Sequence, residues 1–314
     1  MPTILNNLIQ NGVLADTHAH LHDPVYSGKE RLVLERAAYC EVSEIWLMSV
    51  DIDSALKNMR LVSNYQPRFP FLKLRLAIGI DPDVLIPSSS NFTFDFYNKT
   101  SEELGLFVKM KLTSLLEKAE SLGVKVELVG EIGIDNYWLS KQVTDGELSA
   151  ADAGQSLKLQ KAMFIAQVEW AWERNLPVSI HSRSSEQEVL DILKDLLKNY
   201  PEGEAILHSF TGKPSQFNEA QQMGVFVGIN AILTYDTAEL LRATVERLAK
   251  KNISKGLAGL YSSGILLETD APYLIPKGAD RKALELVYGE QVNEPAMVYV
   301  LRDFVFNLLG KEPS

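Results

Sequence analysis

The chain has one cysteine, Cys40, in 314 residues. No intramolecular disulfide can form, so the fold must rest on its core, and a cytoplasmic location is the simplest expectation. No apolar run approaches the ~18 residues needed to span a bilayer, and Met1 to Leu14 lacks the basic run and apolar centre of a secretory leader. No membrane partner is expected. Basic residues are in the minority, 31 Lys and Arg against 41 Asp and Glu, for a net charge of -10. That balance excludes a broad cationic face for non-specific nucleic-acid binding, but not a local positive site. There is no internal repeat and no low-complexity tract.

What is present is ordinary globular composition, 46% hydrophobic and 23% charged. Short apolar runs alternate with amphipathic segments from end to end. The runs Val13–His20, Glu44–Val50, Leu74–Ile80, Val126–Ile132, Leu176–His181, Glu204–Ser209, Val225–Ile229 and Gly264–Glu268 predict strands. Helices are predicted over 29–41, from about 53, and over 102–122, 156–174, 185–198, 214–223, 238–250 and 295–309, with Cys40 buried on the first. Residues 144–153 read as a polar turn. Residues 87–99 (PSSSNFTFDFYNK) have no clear period and read as a loop insertion, either a lid or a surface excursion. Eight strands alternating with helices predict an α/β fold, a TIM-type (β/α)8 barrel formed by one domain over 1–314. A doubly wound open sheet is the alternative. Against it, no Gly-rich phosphate loop follows the first strand.

In that place stands Asp16-Thr17-His18-Ala19-His20. Alternation puts Asp16, His18 and His20 on one side of a strand, and two imidazoles a strand-step apart can bind one metal ion as neutral donors. A lone His-x-His does not decide between a metal site and two polar residues. Its company does. The chain has five histidines, at 18, 20, 22, 181 and 208, and four of them fall at strand ends. Glu131 and Asp270 fall there too, and in a β/α barrel these ends converge on one face. Four His with Glu131 and Asp270 exceed what one zinc takes. Six ligands fit two ions sharing a carboxylate, the arrangement with ions about 3.5–4 Å apart that hydrolyses phosphate esters. Glu131 is the expected bridge, because a carboxylate on the central fourth strand can reach both ions; a carbamylated lysine could play that part, but Lys125 sits at the wrong end of the strand.

The runs ADTHAHL, VGEIGID, PVSIHSR, LHSFTG and LLETDAPYL, with Asn293-Glu294-Pro295-Ala296, resemble the TatD family of metal-dependent deoxyribonucleases, in the family's order from Asp16 to about Ala296. The resemblance implies a metal-dependent-hydrolase barrel with two divalent ions. His18, His20, Glu131 and Asp270 would hold one ion, and Glu131, His181 and His208 the other. Imidazole with carboxylate suits zinc or manganese, and magnesium is less at home. The implied activity is cleavage of DNA phosphodiester bonds, with RNA as a second candidate, by a water activated between the ions; Asp270 takes its proton and Glu131 bridges. The family's Gly-x-His-Pro after strand three is here Gly79-Ile80-Asp81-Pro82. A carboxylate there would repel a phosphate, although it touches no implied ligand. Two ligand carboxylates against two divalent ions leave the filled site cationic, which fits an anionic substrate within an acidic protein.

Around the site, Arg183 suits either a phosphate oxygen or a salt bridge to a loop acid. Ser209 and Thr211 suit phosphate donation or the capping of the next helix. Asp135, four residues past Glu131, suits a partner to a ligand histidine. Tyr137 and Trp138 could stack on a base, with burial as packing residues the simpler expectation. His22 reads as a loop residue. Two other functions fit the same ligand set: hydrolysis of an amide, lactone or other ester, and metal binding without turnover.

Overall fold

Near-continuous apolar runs belong to strands covered on both faces, and the eight such runs form one parallel sheet in a computed structural model that describes residues 3–312. In chain order they are β1 (Ala15–Ala19), β2 (Glu44–Leu47), β3 (Lys73–Ile78), β4 (Val126–Asp135), β5 (Val178–Arg183), β6 (Ala205–Leu207), β7 (Phe226–Ile229) and β8 (Ile265–Leu267). The sheet order is β1 through β8. A parallel bridge from Ala19 to Ala271, just past β8, brings the first strand back to the last. This is the expected (β/α)8 class, with helical segments after every strand.

Several boundaries differ from those read in the sequence, for local reasons. Ile4–Asn11 is a helix, started by the Thr3 hydroxyl accepting from the Asn6 N–H at 3.2 Å and ended by Gly12 at φ +60°. The polar turn expected over 144–153 is confined to 145–149, between helix Asn136–Thr144 and the next helix, Ala150–Trp172. Asp135 and Ser149 cap these two helices, and caps rather than apolar period set where they begin. A further helix, Arg281–Tyr288, was not predicted. Cys40 is a half-buried residue at the end of helix Glu30–Tyr39, not buried on it. Within 87–99 a short helix, Phe94–Tyr97, is held by Phe96, which is buried with its ring 5.1 Å from Phe107. Among the described residues no helix is long and apolar enough to cross a membrane.

Contacts group the chain into two units. One takes the chain up to Met48, Lys57–Leu76 and the chain from His208; the other takes Ser49–Leu56 and Ala77–Leu207. In the first unit, β1 pairs with β2, β2 with β3, and β7 with β8. Two of its buried acids are held by arginines: Arg75 grips Glu44 through two bonds of 2.6 Å. Arg36 grips the fully buried Glu294 through bonds of 2.7–2.9 Å, and the Tyr288 hydroxyl donates to the same carboxylate. The neighbouring Asn293 amide donates to the carbonyls of Thr269 and Leu274 at 2.9 and 3.2 Å. The Asn-Glu-Pro-Ala run is therefore a brace behind the end of β8. Arg36→Ala leaves Glu294 buried without its cation and is expected to cost about 3 kcal/mol. The urea midpoint checks this, and an unchanged midpoint would refute the brace.

In the second unit, β5 pairs with β4 and with β6. Gln167, buried on helix Ala150–Trp172, bonds both backbone groups of Ile80 at 2.8 and 2.9 Å and so satisfies the chain where β3 has ended. Gly79 lies against Gly130, where an added Cβ would come within 2.7 Å of the Gly130 carbonyl carbon. The same stretch is bound to Ser49, which donates to the Gly130 carbonyl and accepts from the Glu131 N–H at 3.1 and 2.7 Å.

Candidate metal centre

The first unit carries one donor group. Asp16 and His18 on β1 and His20 just past it are all buried, and His18 and His20 bring their rings together despite a register shift between Asp16 and Ala19. The Nε2 atoms of His18 and His20 lie 3.1 Å apart. Asp270 Oδ1 stands 3.4 Å from His20 Nε2 and 3.8 Å from His18 Nε2. Three donor atoms within 4.8 Å of one another converge on one point. The His208 ring stacks on His18 with centroids 3.9 Å apart. Asp270, three residues past β8, takes φ +55°, a conformation uncommon outside glycine but open to Asp. Burial alone would raise its carboxyl, but the His20 hydrogen bond and the neighbouring His208 and His18 rings hold it below the usual range.

Two buried acids brace this group. Asp16 accepts from the Thr269 N–H at 2.8 Å and from its hydroxyl at 2.6 Å, tying β1 to the chain after β8. Burial pushes its carboxyl up to about 8, more than the Thr269 bonds lower it. Glu268 accepts from the Ser209 N–H at 2.6 Å, and its Oε1 stands 3.7 Å from His208 Nδ1. An added Cβ at Gly228 would come within 1.9 Å of Glu268 Oε2, so that position has no room for a side chain.

The second unit carries another group. His181 faces Glu131 Oε1 through Nδ1 at 2.9 Å and Asp135 Oδ2 through Nε2 at 3.1 Å. The other oxygen of Asp135 accepts from the Trp138 N–H at 3.0 Å and caps helix Asn136–Thr144. Asp135 thus orients the ring on one side, as expected of a partner to a ligand histidine, and leaves Nδ1 facing Glu131. Gly133, opposite His181 in the β4–β5 register, leaves room for this approach: a Cβ there would lie 2.0 Å from the His181 carbonyl oxygen. Burial disfavours the His181 imidazolium, but the Asp135 and Glu131 carboxylates outweigh it and push the ring up to about 10.

Asp81 belongs to this group. Its donor oxygen lies within 4.8 Å of donor atoms on Glu131 and His181, and burial first, then Glu131, drives its carboxyl well above the usual range. The expectation that Asp81 stands clear of the ligands is corrected. Burial raises Asp83 as well. Asp81, Asp83, Glu131 and Asp135 therefore surround His181, more carboxylates than the charge count from the sequence allowed. Both groups join imidazole nitrogen to carboxylate oxygen in buried settings, the donor chemistry of borderline divalent ions.

The other predicted residues are distributed unevenly. Among the described residues Arg183 is in no ion pair; its guanidinium lies over the Tyr137 ring at 4.1 Å. Ser209 caps no helix, since Lys213 begins the helix Pro214–Gln222. Its hydroxyl accepts from Asn230 Nδ2 at 2.8 Å. Tyr137 and Trp138 are not packing residues: they are 38% and 40% exposed. His22 is a loop residue, edge-on to His20 at 5.5 Å. Glu268 was missed. The available signal was an acid closing an otherwise apolar strand run, Ile265-Leu266-Leu267-Glu268.

A family model described as TatD related DNase matches residues 15–313. The uncharacterized metal-dependent hydrolase YabD of Bacillus subtilis is 26% identical over 282 residues, spanning 90% of this chain and 89% of YabD. Deoxyribonuclease Tat-D of Schizosaccharomyces pombe is 29% identical over 263 residues, 80% of this chain and 69% of that protein. The crystal structure of YJJV, a TatD homolog from Escherichia coli, matches with a TM-score of 0.64 at 25% identity, over 94% of this chain and 88% of YJJV.

Proposed function

The chain belongs to the TatD-related DNase family, and from that premise we propose that it is a two-metal phosphodiesterase acting on DNA, in the cytoplasm, as one hydrolase domain over 1–314 with an insertion near 87–99. The observation that carries the reading is the pair of donor groups, His18 with His20 and Asp270, and Glu131 with His181 and Asp81, each drawn to within 4.8 Å. A relative named as a deoxyribonuclease, similar over 80% of this chain, supports the choice of substrate.

In this reading His18, His20, Glu131 and Asp270 would hold one ion, and Glu131, His181 and His208 the other, with zinc or manganese favoured over magnesium. Divalent ions held there would lower the pKa of water and offset the charge that develops on phosphate oxygens. The protein's own residues do the rest. Glu131 would serve both ions. Asp270, ionised at neutral pH, accepts a proton from the attacking water. Asp135 and Glu268 hold His181 and His208 in place, and Arg183 and Ser209 are the substrate contacts.

The test is end-labelled single-stranded DNA, with RNA of the same sequence beside it, digested with a panel of divalent ions. Metal-stripped protein is expected to be inactive and one of the ions to restore cleavage. Undiminished cleavage after exhaustive chelation, with no metal found by elemental analysis, would refute the two-metal reading. Turnover of an amide or lactone without cleavage of any phosphodiester would replace the substrate class.

A further inference from the structure

We propose that Tyr137, Trp138 and Arg183 form a stacking subsite for an unpaired nucleobase, given the phosphodiesterase reading above. Two large aromatic residues in sequence, both well exposed, are not core packing. They sit in the first turn of helix Asn136–Thr144 with ring centroids 5.3 Å apart, edge to face. The Arg183 guanidinium lies 4.1 Å from the Tyr137 centroid and 5.4 Å from that of Trp138. Lys141 also approaches Trp138, at 6.0 Å, but its charge is taken up by Asp145 at 2.6 Å. Arg183, in no ion pair among the described residues, is the cation left for a substrate. Aromatic faces beside a guanidinium are the surface on which single-stranded nucleic acids stack, and such stacking tolerates any sequence because every base has a π-face.

The position suits the chemistry. One carboxylate, that of Asp135, caps the turn bearing the aromatic pair and holds the His181 ring. Arg183 follows His181 by two residues on β5 and so shares its side of the strand. Their separation along the strand is about 7 Å, roughly two stacked-base rises. A base on the platform would belong to a nucleotide adjoining the phosphate at His181. In a duplex the bases already stack on one another, so the platform selects a single strand or a frayed end.

Trp138 is its own reporter, because the other three tryptophans, Trp46, Trp170 and Trp172, are at most 6% exposed. Metal-loaded protein is titrated with a phosphorothioate oligodeoxynucleotide that resists cleavage, and with an abasic strand carrying the same number of phosphates. The base-bearing strand is expected to quench tryptophan emission, the abasic strand not, and Trp138→Phe to abolish the signal. In kinetics, Trp138→Ala and Tyr137→Ala are expected to raise KM for the base-bearing strand about tenfold while leaving KM for the abasic strand unchanged, and Trp138→Phe to retain most of the wild-type KM. Equal effects on both strands, or quenching by the abasic strand, would overturn the subsite. Failure of the wild-type enzyme to cleave either strand with any ion would overturn the phosphodiesterase reading instead, and the quenching comparison would still decide whether bases bind here.

Discussion

Asp270→Asn is expected to lower phosphodiester turnover by about a thousandfold, within the range that general bases supply, while keeping the fold and at least one ion. The amide still offers an oxygen to a cation but cannot accept a proton near neutral pH. Asp270 lies within 4 Å of both His18 and His20, with Oδ1 at 3.8 and 3.4 Å from their Nε2 atoms, so it can touch an ion and the attacking water together. Its carboxyl is held below the usual range, against the effect of burial, by the His20 bond and by His208 and His18. A depressed carboxyl is ionised at every pH above the ordinary Asp range and loses its charge only as pH falls below it. The acid limb of the rate profile should therefore not report Asp270. A weak base of this kind works only if the proton leaves promptly with product. If Asp270 were only a ligand, excess metal would restore the Asn variant. Turnover measured across a wide metal range, with circular dichroism as the fold control, separates the two roles, and recovery to near the wild-type rate at high metal would remove Asp270 from the base role.

The parts of the site legible in the sequence were those that follow from strand period and strand ends. His18 and His20 share a side because alternation requires it, and Asp270 follows an apolar run that could only be a buried strand. The link from Asp135 to His181 was also readable, because four residues on from Glu131 returns to the same side. What could not be read depends on contacts between distant segments. Asp81 looked like a loop residue after strand three; only packing of that loop beside β4 brings it to Glu131 and His181. Glu268 directly follows a strand whose apolar residues say nothing of where its carboxylate points, and the absence of a side chain at Gly228, which makes room for it, has no signature in a single sequence. Tyr137 and Trp138 read as core because large aromatics usually are, yet capping by Asp135 fixes their turn so that both rings remain exposed. The helix over 136–144 was lost for a related reason: its start is set by one hydrogen bond, not by an apolar stripe.

Glu131→Ala is expected to abolish binding of both ions, whereas His181→Ala should lose one and keep the other, because Glu131 alone is proposed to serve both. Its removal also changes the proton balance of the second group. In the metal-free protein His181 is pushed up to about 10: burial opposes the imidazolium, but Asp135 and Glu131 outweigh burial. That raised value stabilises the metal-free fold fully below the ordinary histidine range and is lost as pH rises from there through about 10. An ion held by His181 would have to displace a proton from the ring, so its affinity should rise with pH over the same window, by at most about tenfold per pH unit. Asp135→Asn should weaken that ion by about 10–100-fold without removing a ligand, since it loosens the ring's orientation. Elemental analysis after dialysis against a metal buffer, repeated from neutral to alkaline pH, reads all of these together. Both ions retained by Glu131→Ala would refute the shared carboxylate. Metal uptake independent of pH in the wild-type protein would remove His181 from the ligand set.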